Sequence, residues 1–365
     1  MIVLIVERIN NANQYIELLA SAYQKEGHQV ILDPQNFLFS SIVPDMVHIQ
    51  WPEAIYKWRY TLERSDDSLS LLMSRIDFYK NSGSKIVSTF HNKLPHGYQD
   101  EFDYAFYKLI YTNSDIVIHH GANSIQVYHE LFGEIDLGPS HLVVPHGPYP
   151  VKSQPTKNGK KNYNLPGNKK IFLNFGRQRA NKGKFFAQQA FQSCHKDVLL
   201  WTIGPHPAKN GFSRIINLIA SQIRRFKYFR ILINRSRNRN CITDDRFVDQ
   251  REISDIFHAC DAVFLGHSNT LNSGVLVQAI CHGKPVVCPD IGNLREQAQG
   301  FNWIAFYTEN DIESAKSALD KVVGWIEDKE NLAIGENREW LANSGWDKQV
   351  NAIIRCVGQL PNQES

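Results

Sequence analysis

Residues 266–294 read GHSNTLNSGVLVQAICHGKPVVCPDIGNL, and this stretch decides the fold. A polar turn from Gly266 to Ser273 runs into an apolar helical segment, Gly274 to Cys281. A Gly283-Lys284-Pro285 turn then opens a run of strand type. Turn, helix, turn and strand in this order mark a parallel α/β unit. In such a unit the turn before the helix leaves unpaired backbone N–H groups at the positive end of the helix dipole, where they can hold a phosphate.

The neighbouring segments continue the pattern. Upstream, 245–268 (DRFVDQREISDIFHACDAVFLGHS) predicts a short strand over 246–248, an amphipathic helix over 253–259 and a strand over 262–265. Before it, 172–186 (FLNFGRQRANKGKFF) predicts a strand ending at Gly176, then Arg177 and Lys182 five positions apart, then a helix. A guanidinium gives planar bidentate contacts and an ammonium acts as a point charge, so the two suit a diphosphate. Further strands are predicted over 171–175, 198–203 and 285–288. In the first half, strands over 2–6, 29–32, 46–50, 85–90, 116–119 and 141–144 alternate with helical periodicity over 15–25 and 103–112. The expected fold class is α/β, with two Rossmann-like doubly wound domains: an N-terminal one over 1–151 and a C-terminal one over 171–345. A linker over 152–170, almost without apolar residues, joins them, and a final helix over 346–365 has the option of packing back on the first domain.

With 365 residues, 42% of them hydrophobic, the chain can bury two cores. A net charge of +3 is too mild to imply a nucleic-acid partner but permits phosphate ligands and an anionic membrane surface. Six cysteines without a CxxC spacing read as reduced core thiols. The opening MIVLIVERIN reads as a first strand rather than a leader, and no 18 apolar residues run together. The expected location is therefore the cytoplasm, with peripheral contact at the inner face of the plasma membrane left open. That contact falls to 222–240 (QIRRFKYFRILINRSRNRN), where seven Arg/Lys interleave with aromatic and aliphatic residues. It reads either as a solvated basic insertion or as an amphipathic patch for anionic lipid. His119, His120 and His129 lack a carboxylate or thiol to complete a ligand set, so no metal is expected.

Two loops after first-half strands suit a hydroxyl-rich ligand. Asn10, Asn11 and Asn13 offer amide donors and acceptors, and Trp51 offers a face on which a sugar can stack or which caps the sheet end.

Gly176-Arg177 with Lys182, then Asp261 to Ser268, then Gly283-Lys284-Pro285-Val286, in that order, resemble the family 4 glycosyltransferases of the GT-B fold. The resemblance spans roughly 171–296 and implies two Rossmann-like domains facing a cleft. It further implies a nucleotide-diphosphate sugar as donor and co-substrate, a glycan or lipid-linked acceptor, no cofactor, no metal, and retention of anomeric configuration. Polysaccharide or cell-surface glycan synthesis is the implied setting. Arg177, Lys182 and the N–H groups of Asn272, Ser273 and Gly274 would take the diphosphate. His91 stands where the family has a strand-end histidine facing the donor, with Asn92 and His96 as second choices, and His146 lies in a Pro145-His146-Gly147 junction like the family's.

One departure stands out. The family carries two glutamates eight positions apart, the second bonding the donor ribose; here those positions hold Thr270 and Gln278. Gln278 can still hydrogen-bond a ribose hydroxyl, whereas Thr270 cannot act as a carboxylate. An inverting enzyme would need a base, for which Glu7, His91 and Glu53 are the candidates. An inactive homologue or nucleotide-sugar-binding partner subunit also fits. A nucleotide-sugar epimerase fits less well, because the second-half stretch is poor in carboxylates.

Overall fold

The computed structural model describes residues 1–10, 13–57, 62–95, 99–134, 138–152, 159–179, 182–192, 197–205, 240–328 and 335–360. The chain forms two compact units, one of Met1–Pro148 with Ala342–Ser365 and one of Tyr149–Leu341.

Unit 1 holds a parallel sheet of β1 (Ile2–Ile5), β2 (Gln29–Leu32), β3 (Met46–Ile49), β4 (Lys85–Thr89), β5 (Ile116–His119) and β6 (Ser140–Val143), in the order β2-β1-β3-β4-β5-β6. Strands β3 and β5 are buried along their whole length, as strands covered on both faces must be. One face packs under the helices Tyr15–Lys25 and Trp346–Gly358, where Leu19, Tyr23, Val350, Ile353 and Val357 share a core with Val3, Val87 and Ile118. The other face packs under Asp66–Asn81 and Glu101–Thr112 through Leu72, Ile76, Phe106 and Ile110. The second of these helices starts two residues before its predicted position because Asp100 and Asp103 form a capping box, each side chain accepting from the other's backbone N–H.

Unit 2 holds a second parallel sheet of β7 (Lys170–Phe175), β8 (Val198–Ile203), β9 (Cys241–Asp244), β10 (Ala262–Phe264), β11 (Val286–Pro289) and β12 (Ile304–Tyr307), in the order β12-β11-β10-β7-β8-β9. The order reverses between β7 and β10, and in unit 1 between β1 and β3. Ligands of doubly wound sheets bind at such switch points, outside the carboxyl ends of the strands.

The strand predicted over 246–248 is not formed. Arg246 instead turns back to Asp244 (3.0 Å) and Glu252 (2.8 Å), and Asp249 caps the helix Gln250–Ala259 by accepting from the Arg251 N–H (3.0 Å). Those charged contacts close a loop and leave Phe247 exposed. The strand that enters this region is β9, a few residues earlier. Residues 159–170 pack within unit 2, where Lys160 pairs with Asp261 at 2.6 Å and Leu165 is buried. Cys241, Cys260, Cys281 and Cys288 are buried free thiols and Cys356 is a half-buried one. Cys194 lies outside the described residues, as do 222–239 of the basic segment.

Candidate functional site

In unit 2, glycines bring the turns after β7, β8 and β10 into backbone contact. Gly176 has φ +108°, and a Cβ on Gly204 (φ +143°) would meet the Gly176 carbonyl oxygen at 2.0 Å. A Cβ on Gly176 itself would lie 4.0 Å from Val275 Cγ2, so this turn faces the first turn of the helix Gly274–Cys281. The Gly-Arg motif and the helix-opening motif, 90 or more residues apart in sequence, are neighbours at the switch point.

The start of that helix is held from two sides. Ser273 is its N-cap, its Oγ accepting from the Leu276 N–H (3.3 Å), while its own N–H donates to Gln297 Oε1 (2.9 Å). Ser273 therefore does not offer its N–H to a diphosphate, as the sequence suggested. The exposed Gly274 heads the first helical turn, where backbone N–H groups have no intrahelical acceptor. Asn272 Oδ1 accepts from Asn293 Nδ2 (2.9 Å), and the Thr270 hydroxyl donates to the Asn272 carbonyl (3.0 Å). Thr270 and Asn272 thus shape the turn. Gln278 is buried and its Oε1 has no hydrogen-bond partner among the described residues. A buried amide oxygen left unpaired is costly unless a ligand or water donates to it.

The two cations differ in setting. Arg177 is exposed and has no ion pair among the described residues. Lys182 is half-buried, and its Nζ donates to Nε2 of the buried His267. Burial lowers the Lys182 pKa to about 8, with Arg179 adding repulsion. Burial, and then the Lys182 charge, holds His267 well below the usual histidine range. His267, Asn293 and Gln297 were not singled out from sequence, although His267 and Asn293 lie within the 266–294 stretch. As a lone histidine and two amides they carried no spacing signal.

In unit 1 the carboxyl ends of β1, β3, β4, β5 and β6 converge on Tyr15. Five rings lie within 6.0 Å of its own: Trp51, His91, His120, His146 and Trp346. Trp51 and His91 stack with centroids 4.2 Å apart, so one indole face is already covered. His91 Nε2 donates to Gln50 Oε1 (2.9 Å), and His91 is held well below the usual histidine range, first by burial and then by the neighbouring histidines. A ring whose protonation is disfavoured by burial and by its neighbours in this way is a weak base. His120 donates from Nδ1 to the Val144 carbonyl (2.9 Å), and His146 from Nδ1 to the Gly147 carbonyl (2.6 Å). Asn92, which follows His91 in the sequence, is half-buried.

The other first-half candidates are placed differently. Asn10 Oδ1 accepts from the Asn13 N–H (3.1 Å) and Asn13 Oδ1 from the Tyr15 N–H (3.0 Å), so both side-chain carbonyls fold their own loop. Asn11 and His96 lie outside the described residues. Glu53 is buried and accepts from the Tyr107 hydroxyl. Glu7 is also buried, with Oε1 accepting from the Arg8 N–H (2.8 Å). His119 Nε2 lies 2.9 Å from His141 Nδ1 and its Nδ1 2.9 Å from Ser124 Oγ.

No protein-family model and no curated protein matches the chain. Solved structures do. Sucrose-phosphate synthase from Thermosynechococcus elongatus superposes with a TM-score of 0.69 at 14% identity, over 98% of this chain and 98% of that one. HepE of Anabaena in complex with UDP and glucose gives 0.66 at 15%, over 97% and 99%. WaaG, a glycosyltransferase involved in lipopolysaccharide biosynthesis, gives 0.58 at 16%, also over 97% and 99%. The chain has the GT-B fold.

Within this GT-B chain, unit 2 carries the segments on which the resemblance to family 4 rests. Its Gly-Arg turn, its half-buried lysine and its helix start lie at the β7/β10 switch point. Together they offer what an anion needs, two cations and a helix N-terminus.

Proposed function

We propose that the protein is a glycosyltransferase that moves a sugar from a nucleotide-diphosphate sugar to a glycan or lipid-linked acceptor. The observation that carries this reading is the assembly of Arg177, Lys182 and the start of the helix Gly274–Cys281 at one switch point of unit 2. The HepE structures with UDP and with UDP-glucose make a UDP-sugar the first donor to try. Breaking the anomeric bond leaves negative charge on the departing diphosphate, and preorganised cations and N–H dipoles stabilise that charge most. In this reading Arg177, Lys182 and the Gly274 end of the helix do so without a metal, and Gln278 Oε1 receives a ribose hydroxyl. Asn10, Asn13, Trp51, Asn92 and His146 serve the acceptor side.

Retention by front-side attack is the proposed stereochemistry. The weak basicity of His91 and the engagement of Glu53 with Tyr107 support it over base-assisted inversion. The proposed setting is polysaccharide or cell-surface glycan synthesis at the cytoplasmic side of a membrane, with 222–240 meeting anionic lipid. Among the described residues no helix is long and apolar enough to cross a membrane.

A thermal-shift screen of UDP-, GDP- and ADP-sugars identifies the donor, because a ligand of the native state raises the melting temperature. Transfer is then followed with the labelled donor, with and without chelator. Unchanged nucleotide affinity in Arg177→Ala removes the proposed diphosphate site. Thr270 favours a second reading, a donor-binding homologue without transferase activity, because its hydroxyl is held by Asn272 where the family carries a carboxylate. A protein that binds a sugar nucleotide yet neither transfers nor slowly hydrolyses it would support that reading.

A further inference from the structure

Lys182 sits in an unusual setting for a cation meant to meet a phosphate. Among the described residues no carboxylate pairs with it, and its one side-chain hydrogen bond is to Nε2 of His267. An ammonium can only donate, so Nε2 accepts and the ring proton is on Nδ1. Nδ1 is buried without a hydrogen-bond partner, so among the described residues no second hydrogen bond orients this ring. The two residues meet because their turns are locked together: a Cβ on Gly183 would lie 1.7 Å from the Gly266 carbonyl oxygen, and one on Gly266 would lie 2.8 Å from that of Gly183. Among the described residues, the charged and titratable groups facing Lys182 are Arg179 from its own turn and His267 from the turn after β10.

We propose that His267 is the positioning residue for Lys182, accepting the ammonium's hydrogen bond at Nε2 and so holding the cation, with its charge uncancelled, at the diphosphate position between β7 and β10. A carboxylate in the same place would hold the lysine as well but would neutralise the charge offered to the ligand. A neutral imidazole holds it and leaves that charge whole. The assignment rests on the reading that Lys182 meets the donor diphosphate.

The test is UDP affinity between pH 7 and 9.5 for the wild type, His267→Gln, His267→Leu, His267→Met and Lys182→Met. In the wild type, affinity falls as pH rises through about 8, where Lys182 loses its proton. His267→Leu removes the acceptor from a half-buried ammonium. The break then moves down by roughly one pH unit, and UDP at pH 7.5 binds roughly threefold more weakly. His267→Gln keeps an acceptor oxygen and stays near the wild-type break. His267→Met serves in place of the leucine variant if circular dichroism shows the latter unfolded. Wild-type breaks in both the apolar and the glutamine variant overturn the proposal, as does a glutamine variant that shifts as far as the apolar one. If Lys182→Met itself leaves UDP affinity unchanged at every pH, the donor-site reading fails first. If it weakens binding while folded His267→Leu does not, only the role of His267 fails.

Discussion

Gly183 and Gly266 touch backbone to backbone: a Cβ on Gly183 would stand 1.7 Å from the Gly266 carbonyl oxygen, and Gly183 has φ +56°. Gly183→Ala therefore meets both a closed space and a strained backbone, and the turns after β7 and β10 must part to admit it. A loss of roughly 3 kcal/mol is expected from such a substitution, read as a lower urea midpoint for unit 2. Gly167→Ala, at a position with open space around it, is the control.

Ser273→Ala removes the N-cap of the helix Gly274–Cys281 and should cost about 1 kcal/mol, with Ser273→Gly losing only a few tenths. An unchanged stability in Ser273→Ala would mean that the hydroxyl-to-Leu276 bond contributes nothing.

Gln278 should separate stability from binding. Its Oε1 is buried and unpaired, so Gln278→Leu removes a desolvated acceptor and leaves the ligand-free protein as stable or more stable, by up to ~1 kcal/mol. The same change should weaken sugar-nucleotide affinity roughly tenfold. Parallel losses in melting temperature and affinity would show that the amide is a structural group only.

Acid should destabilise unit 1 before most carboxylates titrate. Burial lowers the pKa of His48 and His146 to about 3 and that of His120 to about 4, against 6.5 in an unfolded chain. Between those limits the unfolded chain binds protons that the native one refuses, so stability is whole above pH 6.5 and declines as pH falls toward about 4. Each histidine contributes a slope of roughly 1.4 kcal/mol per pH unit across the window. Denaturation at pH 7, 6 and 5 measures the slope, and folded His120→Gln should reduce it by one histidine's share.

Removing residues 346–365 takes Val350, Ile353 and Val357 out of the unit 1 core, along with Gln349, whose Nε2 donates to the Tyr15 hydroxyl (3.2 Å). Three buried aliphatic side chains correspond to roughly 5–9 kcal/mol, comparable to the whole stability of a domain. The truncated chain should lose the cooperative unfolding signal of unit 1 and retain that of unit 2.

What the sequence disclosed follows from the range of the forces involved. The helices Tyr15–Lys25 and Gly274–Cys281 and the strands Gln29–Leu32, Ile116–His119 and Val198–Ile203 were legible to the residue, because periodicity and turn chemistry are local. The failure at 246–248 came from Arg246, whose partners Asp244 and Glu252 are used to close a loop; an alternating pattern does not reveal that competition. In the site, the ordered motifs pointed to the turns, since each motif is contiguous. The pairing of Lys182 with His267, and the capture of the Ser273 N–H by Gln297, join residues from different βα turns. Contacts of that kind depend on which strands become neighbours, and a single sequence does not state it.

Both ends of the chain lie in unit 1, and Tyr149–Leu341 runs between them as unit 2. On the ribosome, unit 2 has all of its described strands once residue 307 has emerged, while the core of unit 1 still lacks Val350, Ile353 and Val357. The half made first is thus the half completed last. Until the helix Trp346–Gly358 arrives, the apolar face formed by Leu19, Tyr23 and Val87 is left partly uncovered, and exposed apolar surface of that kind makes a nascent chain prone to aggregate.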